Sequence, residues 1–239
     1  MPYDLPPLPA CCTPLDKRWP LPWPVPGARI LRTRFDPSRF EFEDFQRQQI
    51  PPARGVAKRQ SEFLAGRLCA RAALLQLTGA LHMPAVGEDG APRWPPGVVG
   101  SITHGAGWAA AMVTSSTDCL GLGIDLEELL SAERAERLAE QILTAAELER
   151  LQALPAERRA LRVTLTFSLK ESLFKALFPL VNIRFYFEDA ELLSCSADGR
   201  ARLRLLTTLS SDWPAGRELD GQFCLIEGCL LSLVSIPAG

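Results

Sequence analysis

The sequence has few side chains that bind soft metals: its 239 residues include two histidines, His82 and His104, and seven cysteines. The cysteines form no CxxC pair and no zinc-ligand spacing, and their odd number is typical of reduced thiols. No apolar run approaches the ~20 residues that span a bilayer, and no basic and apolar leader is present. We therefore expect a cytoplasmic protein without a zinc site or a membrane segment.

Several motifs of nucleotide-dependent and acyl-transfer enzymes are also absent. The chain has neither a Walker A loop nor a kinase glycine-rich loop, which counts against the common nucleotide-dependent phosphotransferases. It has no GxSxG elbow, which counts against a Ser-His-Asp triad. A net charge of −2 gives no basis for binding nucleic acid or a membrane surface.

The hydrophobic pattern predicts a long helix followed by a meander of strands, and this plan occurs twice. Residues 56–77 and 157–178 show helical spacing, and Pro179 is expected to end the second helix. Strands are predicted at residues 29–35, 98–102, 108–114, 120–126, 182–187, 201–207, 221–227 and 229–235. A polar loop is predicted at residues 84–96.

The repeated plan indicates an α+β (α/β) fold with two similar subdomains, each a long helix packed on a small, mainly antiparallel sheet. Residues 27–125 form the first predicted subdomain and residues 126–239 the second. Residues 1–26 carry nine prolines, a density that prevents regular helix or strand pairing, so this segment is expected to run extended over the surface.

An acidic motif lies in the apolar, β-prone run Gly123-Ile124-Asp125-Leu126-Glu127. In a strand Asp125 and Glu127 point to the same face, while the residues between them point to the other. Two carboxylates on one face suit a hard cation such as Mg²⁺, which takes carboxylate, water and phosphate oxygens. The alternative is an edge strand with solvated acids.

A second motif places Lys170, Glu171 and Lys175 on an otherwise apolar helix. The simpler interpretation is a surface ion pair between Glu171 and Lys175, worth about 0.3 to 0.5 kcal/mol. On so apolar a helix, however, these charges are expected at the edge of a buried seam. There Glu171 could be a third metal ligand or a general base, and both lysines could contact phosphate.

A third group of residues suits an anion. His104 is expected at a strand end beside the hydroxyls of Ser101 and Thr103, although a lone histidine is more often structural. Arg59 and Arg67 lie about two turns apart on the predicted helix, and their guanidinium groups could bind phosphate. Their alternative role is to cover the border of an apolar core.

Together these motifs resemble those of the Sfp-type 4'-phosphopantetheinyl transferases, most closely the branch that contains enterobactin synthase component D. The matching segments occur in family order at residues 58–67, 94–104, 123–127, 144–151 and 167–176. Many relatives carry Trp where Phe167 stands and Ser where Thr103 stands. Both differences are conservative.

The resemblance implies a pseudo-twofold fold, with coenzyme A and Mg²⁺ (or Mn²⁺) in a cleft between the halves. It also implies that a serine of an apo acyl or peptidyl carrier protein attacks the β-phosphate of coenzyme A. The phosphopantetheine arm is then transferred and adenosine 3',5'-bisphosphate leaves. The two-half form further implies a monomer.

Carried onto this chain, the family's metal ligands correspond to Asp125, Glu127 and Glu171. The implied contacts to coenzyme A are Arg59, Arg67, Thr103, His104, Lys170 and Lys175, with Asp89, Gly90, Ala91 and Pro92 flanking the adenine. Glu171 is the candidate base, Lys175 could protonate the leaving group, and Lys170 would bind the pyrophosphate with it.

Two other functions are considered. One is a different Mg²⁺-dependent phosphotransferase that uses a nucleotide, against which the missing phosphate loops count. The other is a non-catalytic protein that binds coenzyme A or docks a carrier. It predicts the loss of a carboxylate or of Lys175, yet all of these residues are present.

Overall fold

The computed structural model describes residues 6–87 and 90–239, which form two compact units. The first contains the chain up to Trp19 together with Pro26–Asp118, and the second contains Pro20–Val25 together with Cys119–Gly239. Within the described residues, no helix combines the length and the apolar character needed to cross a membrane.

The first unit packs one long helix on a three-stranded antiparallel sheet of order β1-β5-β4. Its elements are β1 (Arg29–Arg34), a 3-10 turn (Pro37–Arg39), α1 (Asp44–Arg47), α2 (Ala57–Thr78), β2 (Ala85–Val86), β3 (Pro92–Arg93), β4 (Val98–Gly105) and β5 (Trp108–Ser115). The core joins Leu31 of β1, Leu74 of α2 and Val113 of β5, all buried. β2 and β3 form a short hairpin inside the segment predicted as a loop.

The proline-rich segment is held to β1 by isolated pairings rather than by a ladder. Cys12 pairs with Phe35, and Asp16 pairs with Arg32. The guanidinium of Arg32 also donates to Asp16 Oδ2 at 2.7 Å. The lack of a continuous ladder follows from the missing N–H groups of the prolines.

The second unit packs the 26-residue helix α5 on a five-stranded antiparallel sheet of order β6-β10-β9-β8-β7. Its elements are β6 (Cys119–Glu128), α3 (Ala132–Ile142), α4 (Ala145–Gln152), α5 (Ala156–Val181), a 3-10 turn (Phe187–Asp189), β7 (Ala190–Cys195), β8 (Arg200–Leu205), β9 (Glu218–Ile226) and β10 (Cys229–Pro237). Leucines 165, 169, 173 and 177 of α5 form one side of the core. The α+β prediction, with one long helix on an antiparallel sheet in each unit, is confirmed.

Two local predictions in this unit are wrong. Pro179 does not end α5, which continues to Val181 and stops at Asn182 in the left-handed conformation. A proline this close to the end removes only one hydrogen bond of the last turn. The strand predicted at residues 182–187 is a loop, and the strand that follows it, β7, begins at Ala190.

Candidate active site

The close packing of β6 against α5 brings the acidic strand to the helix. A Cβ atom on Gly123 would lie 1.9 Å from the carbonyl oxygen of Ser172, and one on Gly121 would lie 2.3 Å from that of Ala176. Only glycine leaves the room for this approach. Since side chains alternate along a strand, Asp125 and Glu127 share the face of these glycines and point toward α5.

Lys175 of helix α5 contacts this face of β6. Its ammonium donates to Asp125 Oδ1 at 2.7 Å and to the carbonyl oxygen of Ile124 at 3.1 Å. Asp125 is buried, whereas the Lys175 side chain keeps 28% of its surface. Glu171 lies one turn earlier on the same helix. Although β6 is an edge strand of its sheet, Asp125 is therefore not a solvated acid.

Burial and the nearby charge of Asp125 destabilise the ionised forms of Glu127 and Glu171. Burial, aided by the charge of Asp125, raises the pKa of Glu127 to about 7. Burial also raises the pKa of Glu171, although Lys175 opposes this. Such groups favour a nearby cation, which would stabilise their charged forms. Among residues 6–87 and 90–239, however, no three Asp, Glu, His or Cys side chains lie close enough to hold a metal by themselves.

Lys170, which is predicted to contact phosphate, donates its hydrogen bonds to other parts of the second unit. Its ammonium is buried and donates to Glu147 Oε2 at 2.7 Å and to the carbonyl oxygens of Ile142 and Phe187 at 2.9 and 2.8 Å. These three bonds use all three donors of the ammonium group. As placed, Lys170 has no N–H left for a phosphate.

A pocket of about 200 Å³ opens beside Glu171 in the second unit. Half of its lining residues are aromatic, Phe174 of α5 and residues 185–187 of the following loop, and the charged side chains Lys170 and Arg184 also line it. Phe174 contacts Phe185 with ring centroids 5.3 Å apart, which fixes the helix against the loop. An apolar pocket that ends at a carboxylate can hold a chain-like ligand and orient its reactive end.

The first unit brings Arg59 of α2 to His104 of β4. A Cβ atom on Gly66 would lie 2.8 Å from Ile102, so helix and strand approach closely here. Arg59 Nη1 lies 2.8 Å from His104 Nε2, and His104 Nδ1 lies 3.8 Å from Glu62 Oε2. Because guanidinium only donates, Nε2 must accept and the ring proton belongs on Nδ1, toward Glu62. The Arg59 side chain remains half exposed.

Two other predicted contacts in this unit are arranged differently. Arg67 is buried and donates to the carbonyl oxygens of Pro84 and Ala85, where it supports the β2–β3 hairpin. Thr103 is buried and, one residue from His104 on β4, points to the opposite face of the strand. Neither side chain joins Arg59 and His104.

Gly90, Ala91 and Pro92, three of the four residues predicted to flank the adenine, lie at the β2–β3 hairpin. Gly90 adopts a left-handed φ of 84°, and Gly87 N donates to the carbonyl oxygen of Ala91 at 2.8 Å. Pro92 opens β3. Asp89 lies outside the described residues.

Comparison with known proteins places this arrangement in a family. A family model described as the 4'-phosphopantetheinyl transferase N-terminal domain matches residues 45–114, and one for the 4'-phosphopantetheinyl transferase superfamily matches residues 121–226. The chain belongs to the 4'-phosphopantetheinyl transferase superfamily.

Relatives of the same class cover most of the chain. It is 37% identical to 4'-phosphopantetheinyl transferase Svp of Streptomyces mobaraensis, over 82% of this chain and 80% of that protein. It is 35% identical to enterobactin synthase component D of Salmonella typhimurium, over 90% and 88% respectively. For PptT of Mycobacterium tuberculosis the identity is 36%, over 76% and 81%. The predicted enzyme class, a phosphopantetheinyl transferase that modifies carrier proteins, is confirmed, as is its resemblance to enterobactin synthase component D.

Sequence reasoning missed three features of this transferase. Glu62 completes the group around His104, and its position one turn after Arg59 was a usable signal. Gly121 and Gly123 lie on the same face of the strand as Asp125, and two glycines on one face could have indicated that a helix packs closely there. Glu147 caps α4 together with Thr144, and nothing in the sequence links it to Lys170, 23 residues away.

Proposed function

We propose that this transferase takes the 4'-phosphopantetheine arm from coenzyme A and requires Mg²⁺. The serine hydroxyl of an apo carrier protein would attack the β-phosphorus of coenzyme A. A new P–O bond to serine forms, the pyrophosphate P–O bond breaks, and adenosine 3',5'-bisphosphate leaves. The observation that carries this proposal is the ion pair between Lys175 and Asp125, which joins the helix motif to the acidic strand.

Asp125, Glu127 and Glu171 are the residues proposed to hold the metal. Their oxygens and the raised pKa of Glu127 fit a divalent cation. Since no three ligands converge among the described residues as placed, water and pyrophosphate oxygens would complete the coordination, as is usual for Mg²⁺. Bound there, the ion would supply positive charge where the phosphoryl oxygens gain negative charge.

The proton steps are assigned to α5. Glu171, beside the pocket, would accept the serine proton directly or through water, or serve only as a ligand. Lys175 already lies at the acidic strand with its side chain partly exposed, so its ammonium can reach a pyrophosphate and donate a proton to the leaving oxygen.

Arg59 and His104 are proposed to bind coenzyme A phosphates. The exposed guanidinium of Arg59 offers donors in a geometry that matches phosphate oxygens. Residues 89–92 would flank the adenine, and the pocket beside Glu171 would take the chain-like arm. Arg67 would act through the β2–β3 hairpin rather than on a phosphate. The monomeric state and the cytoplasmic location stay predictions.

The reaction is tested by mass spectrometry of apo acyl and apo peptidyl carrier proteins incubated with the enzyme, coenzyme A and Mg²⁺. We expect a gain of about 340 Da, the mass of the phosphopantetheine arm, that a chelator blocks. Adenosine 3',5'-bisphosphate should appear in equal amount. Coenzyme A binding without any gain on either carrier would favour the non-catalytic alternative.

A further inference from the structure

The buried pair of Lys170 and Glu147 joins several elements of the second unit, including the helix and the loop that line the pocket. Glu147 Oε2 accepts from Lys170 Nζ and from the backbone N–H of Thr144, both at 2.7 Å, while Oε1 accepts from the N–H of Leu192 at 2.6 Å. Lys170 in turn binds the last residue of α3, Ile142. The pair therefore ties α3, α4, α5 and β7 to one another.

The third bond of Lys170 leads directly to the pocket. Its acceptor is the carbonyl oxygen of Phe187, whose side chain lines the pocket together with those of Phe185 and Tyr186. The Phe187 ring also contacts Phe167 of α5, with ring centroids 5.5 Å apart. Lys170 thus fixes this wall to the helix one residue away from Glu171.

Both partners are almost fully buried, with side-chain exposures of 2% for Lys170 and 4% for Glu147. Lys170 is part of the pocket lining, but a phosphate there could accept a hydrogen bond from its ammonium only if one of the three existing bonds broke. Removing one member of a buried ion pair is strongly unfavourable, because the other charge stays buried. Geometry and charge both disfavour Lys170 as a phosphate ligand.

We infer that Lys170 and Glu147 are positioning residues, which hold the Tyr186–Phe187 wall of the pocket at a fixed place relative to Glu171. This inference rests on the proposed function, because the pocket is taken to hold the arm of coenzyme A. It reassigns a lysine that the sequence predicted to touch phosphate, and it gives Glu147 a role beyond capping α4.

A positioning role and a phosphate-binding role of Lys170 predict different effects of Glu147→Gln on the KM for coenzyme A. The amide in this variant would retain much of the shape of the network but would lack the charge that holds the ammonium, and it would be too deeply buried to touch coenzyme A. If Lys170 positions the wall, Glu147→Gln and Lys170→Met each raise the KM for coenzyme A, roughly 10- to 100-fold. The double variant should be no worse than the poorer single variant. The KM for the carrier protein should stay unchanged.

These readouts separate positioning from general structural damage. A smaller fraction of folded enzyme lowers kcat at unchanged KM, whereas a displaced pocket wall raises KM for one substrate. Circular dichroism and thermal denaturation would identify variants that fail to fold. For that case, Glu147→Leu combined with Lys170→Met replaces the buried pair by apolar groups, which proteins often tolerate.

Three results with these variants would overturn the positioning role of Lys170 and Glu147. If Lys170→Met raises the KM for coenzyme A while Glu147→Gln keeps the wild-type KM, the inference is overturned and Lys170 is restored as a phosphate ligand. Wild-type kinetics in folded Lys170→Met would also overturn it. The folded double variant that combines Glu147→Leu with Lys170→Met would do the same if its KM for coenzyme A were unchanged. A wild-type enzyme that modifies no carrier would instead overturn the proposed function, and the inference with it.

Discussion

Gly123 of β6 lies so close to Ser172 of α5 that a Cβ atom would stand 1.9 Å from the serine carbonyl oxygen and 2.7 Å from the N–H nitrogen of Ala176. Both obstructing atoms belong to the helix backbone, which cannot move without shifting the helix. Asp125 is two residues further along the same strand face and Lys175 is on the same helix. The glycine therefore sets the distance across which the strand and helix motifs meet.

Gly123→Ala is predicted to displace α5 from β6. Overpacking of this kind typically costs about 1–3 kcal/mol of stability, measurable by chemical denaturation. Transfer activity should fall more than stability alone explains, because Glu171 and Lys175 move away from the strand. Gly221→Ala in the same sheet is the control, since its nearest obstacle, at 3.0 Å, is the flexible end of Leu169. Equal activity in both variants would contradict this role of Gly123.

Asp125→Asn is predicted to abolish most transfer while the fold is retained. The amide is isosteric but cannot pair with the charge of Lys175 or serve as an anionic metal ligand. We expect roughly a 100-fold or greater loss of kcat/KM, together with weaker Mn²⁺ binding by calorimetry. Glu128→Gln, an exposed position at the end of β6, should change neither quantity. Wild-type transfer by Asp125→Asn would exclude the metal assignment.

Much of the second-unit site could be predicted because strand parity and helical spacing are local properties. Alternation alone put Asp125 and Glu127 on one face, and the four-residue spacing put Glu171 near Lys175. The orientation of Lys170 could not be predicted in this way. Helix α5 is apolar on most sides, so periodicity does not show which charge is buried, and the partner of Lys170 lies in another helix.

The loop after α5 illustrates a second limit. Ile183, Phe185 and Phe187 alternate with polar residues, which favours a strand. In the structure these residues form a loop instead. Phe185 packs in the core, and Phe185 and Phe187 both line the pocket. In the first unit, α2 was predicted, but the burial of Arg67 depends on the β2–β3 hairpin, which the sequence presents only as a polar loop.

Arg59→Ala is predicted to weaken coenzyme A binding without removing catalysis. A charge-assisted hydrogen bond to phosphate is worth about 1.5–3 kcal/mol, so the KM for coenzyme A should rise roughly 10- to 100-fold while kcat changes little. Arg29→Ala, an exposed arginine of β1, is the control. An unchanged KM in Arg59→Ala would show that its contact with His104 is structural.

Asp16→Asn is predicted to make the stability of the protein less sensitive to acid. Hydrogen bonds from Arg18 and then from Arg32 hold the pKa of Asp16 below its usual range. Its folded pKa is thus lower than its unfolded pKa, near 4, and the folded state binds fewer protons. The stabilisation is complete above about pH 4 and is lost as the pH falls below that value. Since Arg18 is largely exposed, we expect it to amount to about 1 kcal/mol.

The measurement is the free energy of unfolding by denaturant at about pH 7, 4 and 3. The wild-type protein should lose more stability than Asp16→Asn, by up to about 1 kcal/mol, as the pH falls from about 7 to about 3. Asp212→Asn, which replaces an exposed carboxylate, should follow the wild-type curve. Because Asp16 and Arg32 join the proline-rich segment to β1, the acid-sensitive loss should also increase proteolysis near residue 16. Parallel curves for Asp16→Asn and the wild type would show that this ion pair does not stabilise the folded state.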